Sequence, residues 1–256
     1  MRHWFLGLTV AVVAAGAAAA DEKATAVVKK AIEAHGGADN LNKYKAGKFA
    51  MKGELSVMGM DLEFTGSLAY ALPDKYRLQI TTEVMGQKLD INQVVRGEKV
   101  KSTITVGGMT IPSPGGDAEQ EELKTAIAMQ EAEQFTTLLD EKKFTIKSTD
   151  EADVNGKKAA VIIVQPKAIK KEFKMFFDKD SGLLLKTFHK GHGPGADGAG
   201  AEVDEESFHQ DYKKVNGVQV PTKLVVNHDG KKFMTVNISD YELLPKLDDK
   251  EFAFDD

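Results

Sequence analysis

The chain has 256 residues, a formal net charge of −5 and no cysteine. Its acidic and basic residues are interspersed with no basic stripe, which excludes the electrostatic footprint of a nucleic-acid binder or of a protein held on an anionic membrane. Without disulfides it must hold itself together by burying an apolar core.

The N-terminus opens on Met1-Arg2-His3, continues as an apolar run from Trp4 to Ala20, and ends at Asp21-Glu22-Lys23. A basic start, a short apolar stretch and small residues at Ala18 and Ala20 predict a secretory signal over residues 1–20, cut after Ala20. The alternative is a membrane-anchoring helix. At about 17 Ala-rich residues the run sits at the bottom of the spanning range, and no later stretch approaches the ~18 to 20 apolar residues a span requires. No cysteine stands at the cut to carry a lipid, and cleavage removes Arg2, so the mature chain is slightly more acidic. Residues 21–256 are expected to form one soluble domain, large enough to bury roughly 70–75% of its unfolded surface.

From Asp21 to His35, Val27, Val28, Ala31 and Ile32 recur at helical spacing and His35-Gly36-Gly37 supplies the stop. After Asn40-Leu41 the period becomes two. Phe49, Met51, Leu55 and Val57 alternate with polar residues; so do Met60, Leu62, Phe64, Leu68, Tyr70 and Leu72, and then Tyr76, Leu78, Ile80 and Val84. Long strands with one dry and one wet face belong to an antiparallel sheet. Leu89 to Val95 and Val100 to Val106 continue the meander, with Gly59, Pro73-Asp74, Gly86 and Gly97 as turns. Past Pro112 to Gly116, Asp117 is a candidate N-cap, and Glu119, Glu121 and Glu122 suit the start of a helix running to about Asp140. Strands resume at Phe144, Ile146 and Ser148, at Ala159 to Val164, at Phe173, Met175 and Phe177, and at Leu183 to Phe188. The glycine-rich stretch Gly191 to Gly200 reads as a mobile loop. Strands at Ser207 to Tyr212, Thr222 to Asn227 and Phe233 to Tyr241 follow, and Leu243, Leu244, Leu247, Phe252 and Phe254 tie down the tail. The expectation is a mainly β (α+β) chain: eleven or twelve strands in one large curved antiparallel sheet whose apolar face is covered by two amphipathic helices.

The chemistry-bearing patterns are sparse. No serine sits in a nucleophile elbow and no phosphate-cradling loop is present, so no catalytic residue and no cofactor is assigned. His189 and His192, followed by Glu202, Asp204, Glu205, Glu206 and His209, offer imidazole and carboxylate ligands, but at no recognised metal spacing. The apolar faces themselves read two ways: as a packed core, or as a partly empty cavity. The cavity reading is favoured by methionines on or beside the strands (Met51, Met58, Met60, Met85, Met109) and at Met129, whose flexible thioethers suit varied apolar partners. A sheet this long also encloses more volume than two helices easily fill. The candidate lining is Phe49, Met51, Leu55, Met60, Leu62, Phe64, Tyr76, Leu78, Ile80, Leu89, Ile91, Ile127 and Met129.

Short motifs carry a resemblance. Ala31-Ile32-Glu33-Ala34-His35-Gly36-Gly37 with Leu41, then Pro73-Asp74-Lys75-Tyr76-Arg77, and later Tyr212 to Pro221 with a closing strand pair, together resemble the outer-membrane lipoprotein-sorting-protein-like group, relatives of the periplasmic lipoprotein carrier. That likeness implies a half-open barrel with a helical lid over an apolar cavity, a periplasmic location, and a lipid or acyl chain as ligand. In the carrier a strand arginine holds the lid. Here Arg77 and Arg96 are the arginines left after signal removal, and Arg77 faces away from Tyr76 and Leu78. The expectation is a non-catalytic exported carrier or binding protein. The competing class is an envelope interaction module that uses the same fold without a ligand, and an envelope protein is the possible partner.

Overall fold

α1 (Glu22–Ala34) begins where the sequence places it. Asp21 is its N-cap, accepting from the Ala24 amide at 2.9 Å, and the same carboxylate accepts from the Ser148 amide and hydroxyl at 2.8 Å. These donors hold the Asp21 pKa below its ordinary value and tie the helix start to a strand far along the chain. A second helix, α2 (Ala38–Lys43), was not foreseen; one and a half turns are too short to show a period. The computed structural model describes residues 21–57, 59–113, 116–195 and 198–254. The expected signal segment, Met58 and part of the expected loops at 112–116 and 191–200 lie outside the described residues.

The first strands form a meander: β1 (Ala46–Val57), β2 (Met60–Ala71), β3 (Lys75–Val84), β4 (Gln87–Arg96), β5 (Lys99–Val106) and the short β6 (Met109–Pro112). α3 (Gly116–Ala132) follows. It ends well before Asp140, because Phe135 takes a positive φ of 52° and Thr136–Leu139 tightens into a 3-10 turn. The second set is β7 (Phe144–Ser148), β8 (Ala152–Val154), β9 (Lys157–Pro166), β10 (Phe173–Asp178), β11 (Leu184–Gly195), β12 (Gly198–Val215), β13 (Val218–His228) and β14 (Lys231–Leu244).

All fourteen described strands belong to one antiparallel sheet, ordered β6-β5-β4-β3-β2-β1-β14-β13-β12-β11-β10-β9-β7, with β8 paired to β9. The half-open barrel that the resemblance implies is therefore present, built from the curved antiparallel sheet that the alternation predicts. β1 pairs with β14, so the two ends of the chain meet in the middle of the sheet. The two edges, β6 and β7, are consecutive in sequence, and the segment joining them carries α3. This helix is thus a strap crossing the concave face from one edge of an unclosed sheet to the other. Two expectations need correcting. β6 and β8 are too short for alternation to reveal. The 191–200 loop is largely strand: β11 runs to Gly195 and β12 starts at Gly198, with Gly195 opposite Gly198. Ladder hydrogen bonds come from the backbone, so a long hairpin extends through glycine once flanking pairs such as Lys190 and Asp204 (2.6 Å) set its register.

Two left-handed residues aim side chains. Asp211 in β12 and Asp240 in β14 both take φ 54°; the β1–β14 register slips beside Asp240, whereas β12 and β13 keep one register past Asp211. The left-handed backbone at Asp211 and the extra residue at Asp240 each reverse the alternation, so Tyr212 follows His209, and Tyr241 follows Ile238, onto the same concave face.

The core divides in two. At the β7 end, Val28, Ala31 and Ile32 of α1 pack on Phe173, Met175 and Phe177 of β10 and on Ile162 and Val164 of β9. At the other end, Leu123 of α3 seals Leu68, Tyr70, Tyr76 and Val95. Between these plugs the concave face is not filled.

Candidate functional site

The unfilled region is a cavity of about 500 Å³. That is more than three times the ~150 Å³ apolar void that admits benzene. One wall is aromatic and aliphatic: Phe49 and Met51 from β1, Phe64 and Leu68 from β2, Tyr76, Leu78 and Ile80 from β3, and Leu224, Val236 and Ile238 from β13 and β14. α3 forms the roof through Leu123, Ala126 and Met129. A broader depression of about 810 Å³, bordered by Lys52, Glu54, Glu63, Thr81 and Lys88, is open and polar, and carries none of this apolar lining except Phe64.

The far wall and the side of the roof that faces it are polar. Thr187, His189 and His192 from β11 and Glu205, Ser207 and His209 from β12 line it, facing Glu119, Glu122, Gln130 and Glu133. Together with Leu123, Ala126 and Met129, these last four side chains recur at three- and four-residue intervals along the underside of the strap. Glu119 accepts from Gln93 at 3.1 Å. Glu122 is the latch: it meets Lys171 at 2.8 Å, His192 Nδ1 at 2.8 Å and His189 Nε2 at 3.6 Å. Burial by itself raises its pKa, but the two imidazoles and the Lys171 ammonium outweigh that and hold it down at about 2. Glu133 has no such cation. Burial pushes it up to about 7, and its nearest basic neighbour is His209 Nε2 at 3.8 Å.

The latch makes a testable statement. A carboxyl whose folded pKa lies below its ordinary 4.5 contributes stability above that value and loses it as pH falls toward 2. Glu122→Gln is therefore expected to melt several degrees below the parent at neutral pH. In calorimetric melts that difference should shrink steadily as pH falls from about 4.5 toward about 2.

No family model and no curated relative matches the sequence. Solved structures do match its fold. A LolA superfamily protein of Nitrosomonas europaea superposes with a TM-score of 0.56 at 10% identity, covering 90% of this chain and 97% of that one. A DUF1329 family protein of Desulfovibrio piger gives 0.54 at 13% identity, covering 90% and 97%. An outer-membrane lipoprotein-sorting-protein domain of Vibrio parahaemolyticus gives 0.51 at 11%, covering 90% and 96%. The fold is that of the LolA superfamily.

Within the LolA-like fold, the sequence-derived lining divides. Phe49, Met51, Phe64, Tyr76, Leu78, Ile80 and Met129 face the cavity. Leu55, Met60, Leu62, Leu89 and Ile91 lie on the same sheet face but do not line it, because the strands overrun the strap toward the β1–β2 and β3–β4 turns; Leu55 packs on Phe64, Val236 and Ile238 instead. Ile127 is drawn into the plug around Leu123. The methionines also divide: Met51, Met129 and Met234 line the cavity, whereas Met85 and Met109 stand 90% and 75% exposed at hairpin tips.

The contact that holds α3 is not the strand arginine that the carrier resemblance implies. Arg77 lies on the opposite face, donating to Asn92 at 3.1 Å and to the Glu251 carbonyl at 3.1 Å beside the C-terminal 3-10 turn (Asp249–Phe252). Here the helix supplies the carboxylate, Glu122, and the sheet side supplies the imidazoles and Lys171. His189, His192, Glu205 and His209, weighed above as metal ligands, are instead distributed among separate pairs: the two first with Glu122, Glu205 with His228 at 3.2 Å, and His209 beside Glu133. Sequence reasoning passed over Glu133 and took Glu119 and Glu122 for helix-dipole residues. Their three- and four-residue spacing alongside Leu123, Ala126 and Met129 was the available signal.

Proposed function

We propose that the protein is an exported, non-catalytic binding or carrier protein, working in the periplasm or outside the cell, that shelters a lipid, acyl chain or other apolar group beneath the α3 strap. The observation that carries this reading is the 500 Å³ space left between two well-packed plugs, walled by aromatic and aliphatic side chains. Sequestering a chain there stabilises the complex by about 0.8 kcal/mol per buried methylene. Release requires the strap to lift, and the Glu122 contacts are what it must break. The signal-like residues 1–20 support export, and the lipoprotein-sorting name of a structural neighbour supports the ligand class.

Two measurements test it. Mass spectrometry of an organic extract from protein purified out of its native host is expected to show bound lipid. A fluorescent apolar probe is expected to bind saturably, and Leu224→Trp, which places an indole in the cavity, is expected to weaken that binding about tenfold, the equivalent of two methylenes displaced. Absence of both lipid and saturable probe binding would leave the fold as an interaction module.

A further inference from the structure

The polar end of the cavity contains two groups that the fold itself leaves unmatched. His209 is 7% exposed, and neither of its ring nitrogens has a hydrogen-bond partner. Glu133 lies 3.8 Å from Nε2 of that ring, beyond hydrogen-bond reach. The left-handed backbone at Asp211 turns both His209 and Tyr212 inward, and Tyr241 and Tyr70 close the same corner. The Tyr212 and Tyr241 hydroxyls are already spent on the carbonyls of Leu184 and Pro221, at 2.8 Å and 2.6 Å. On its own segment, Glu131 is paired outward with Lys143 at 2.6 Å, and His35 lies behind His209. Among the described lining residues, Glu119, Glu122, Glu133 and Glu205 are carboxylates and none is Lys or Arg.

We infer that this corner is a head-group site, and that the ligand taken up by the cavity carries a hydrogen-bond donor, an ammonium or a hydroxyl, that joins Glu133 to His209, whereas carboxylate and phosphate heads are rejected. This rests on the cavity reading and adds to it the polarity of the ligand. A neutral imidazole presents one donor and one acceptor nitrogen. A hydroxyl can donate to Glu133 while accepting from the ring, and an ammonium can donate to both. A like-charged head would meet the carboxylate of Glu133, which no Lys or Arg of the lining offsets, with Glu119 and the already paired Glu122 beside it. Burial and the neighbouring His35 push His209 down to about 3, which keeps it neutral, while burial pushes Glu133 up to about 7. Ionised Glu133 is thus poorly accommodated until a donor arrives.

The test compares decylamine, decanol and decanoate as competitors of the apolar probe. At pH about 8, decylamine is expected to bind about tenfold more tightly than decanoate, with decanol between them, the size of one hydrogen bond to a charged group. The preference for the amine should shrink at pH about 6, as Glu133 takes up a proton. Glu133→Gln should abolish it, and His209→Asn should weaken decanol and decylamine more than decanoate. Unliganded Glu133→Gln should also melt above the parent at pH about 8, because a carboxyl with a raised folded pKa loses stability as pH climbs through that value. Decanoate binding as tightly as decylamine, a preference that survives Glu133→Gln, or a Glu133→Gln protein that melts lower than the parent would overturn the head-group site and leave the apolar cavity standing. A probe that never enters the parent protein removes both.

Discussion

Replacing Phe177 by alanine is expected to lower the unfolding free energy by about 3–5 kcal/mol, the range for deleting a fully buried aromatic side chain. Phe177 is 2% exposed and sits on β10 between Phe173 and Met175 and the underside of α1, with the Phe135 ring edge-on at 5.9 Å. None of these neighbours is a flexible surface chain able to collapse into the space, so most of the void should persist. Urea titration with constant slope would measure the loss. Phe177 does not line the cavity, so the variant should still bind the apolar probe wherever it is folded. A loss under 1 kcal/mol would show that this plug is not the close-packed anchor described here.

The second large effect is expected at Gly36, where alanine should cost about 2–4 kcal/mol. Gly36 has φ 120°, a conformation that L side chains rarely adopt, and a Cβ there would stand 2.2 Å from the Gly217 carbonyl oxygen in the β12–β13 turn. Neither side can yield easily. The Gly36 carbonyl accepts from Asn40 at 2.8 Å, and the Gln219 amide donates to the His35 carbonyl at 3.0 Å. Any shift also moves His35, whose ring touches Phe135 and Tyr212 next to the His209 corner, so probe binding should fall together with stability. Gly86 provides the comparison: its φ of 76° is also left-handed, but nothing lies within 4 Å, so alanine there should cost only about 1 kcal/mol. Equal losses at the two positions would show that backbone conformation alone, and not the close approach to Gly217, sets the penalty.

These two positions show what was legible in the chain and what was not. Phe173, Met175 and Phe177 announced themselves by alternation. Gly36 was readable only as a helix stop, since nothing local indicates that a turn far along the chain presses against it. The same division runs through the site. Phe49, Met51, Phe64, Tyr76, Leu78 and Ile80 were found because a strand places alternate residues on one face, whatever that face meets. How far along each strand the cavity extends is not readable from alternation, which marks Leu55, Leu62, Leu89 and Ile91 just as it marks the residues that line it.

By itself, the sequence determined the two-faced strands, the helix capped by Asp21 and the continuous antiparallel sheet, because local periodicity, turn residues and caps act within a few residues of chain. Tertiary structure alone decided that β1 meets β14, that α3 straps one sheet edge to the other, and that Glu122, Glu133, His189 and His209 face one another beneath it. Those pairings depend on the curl of the whole sheet and on left-handed residues at Asp211 and Asp240 that reverse the alternation, and neither leaves a periodic trace in the residues themselves.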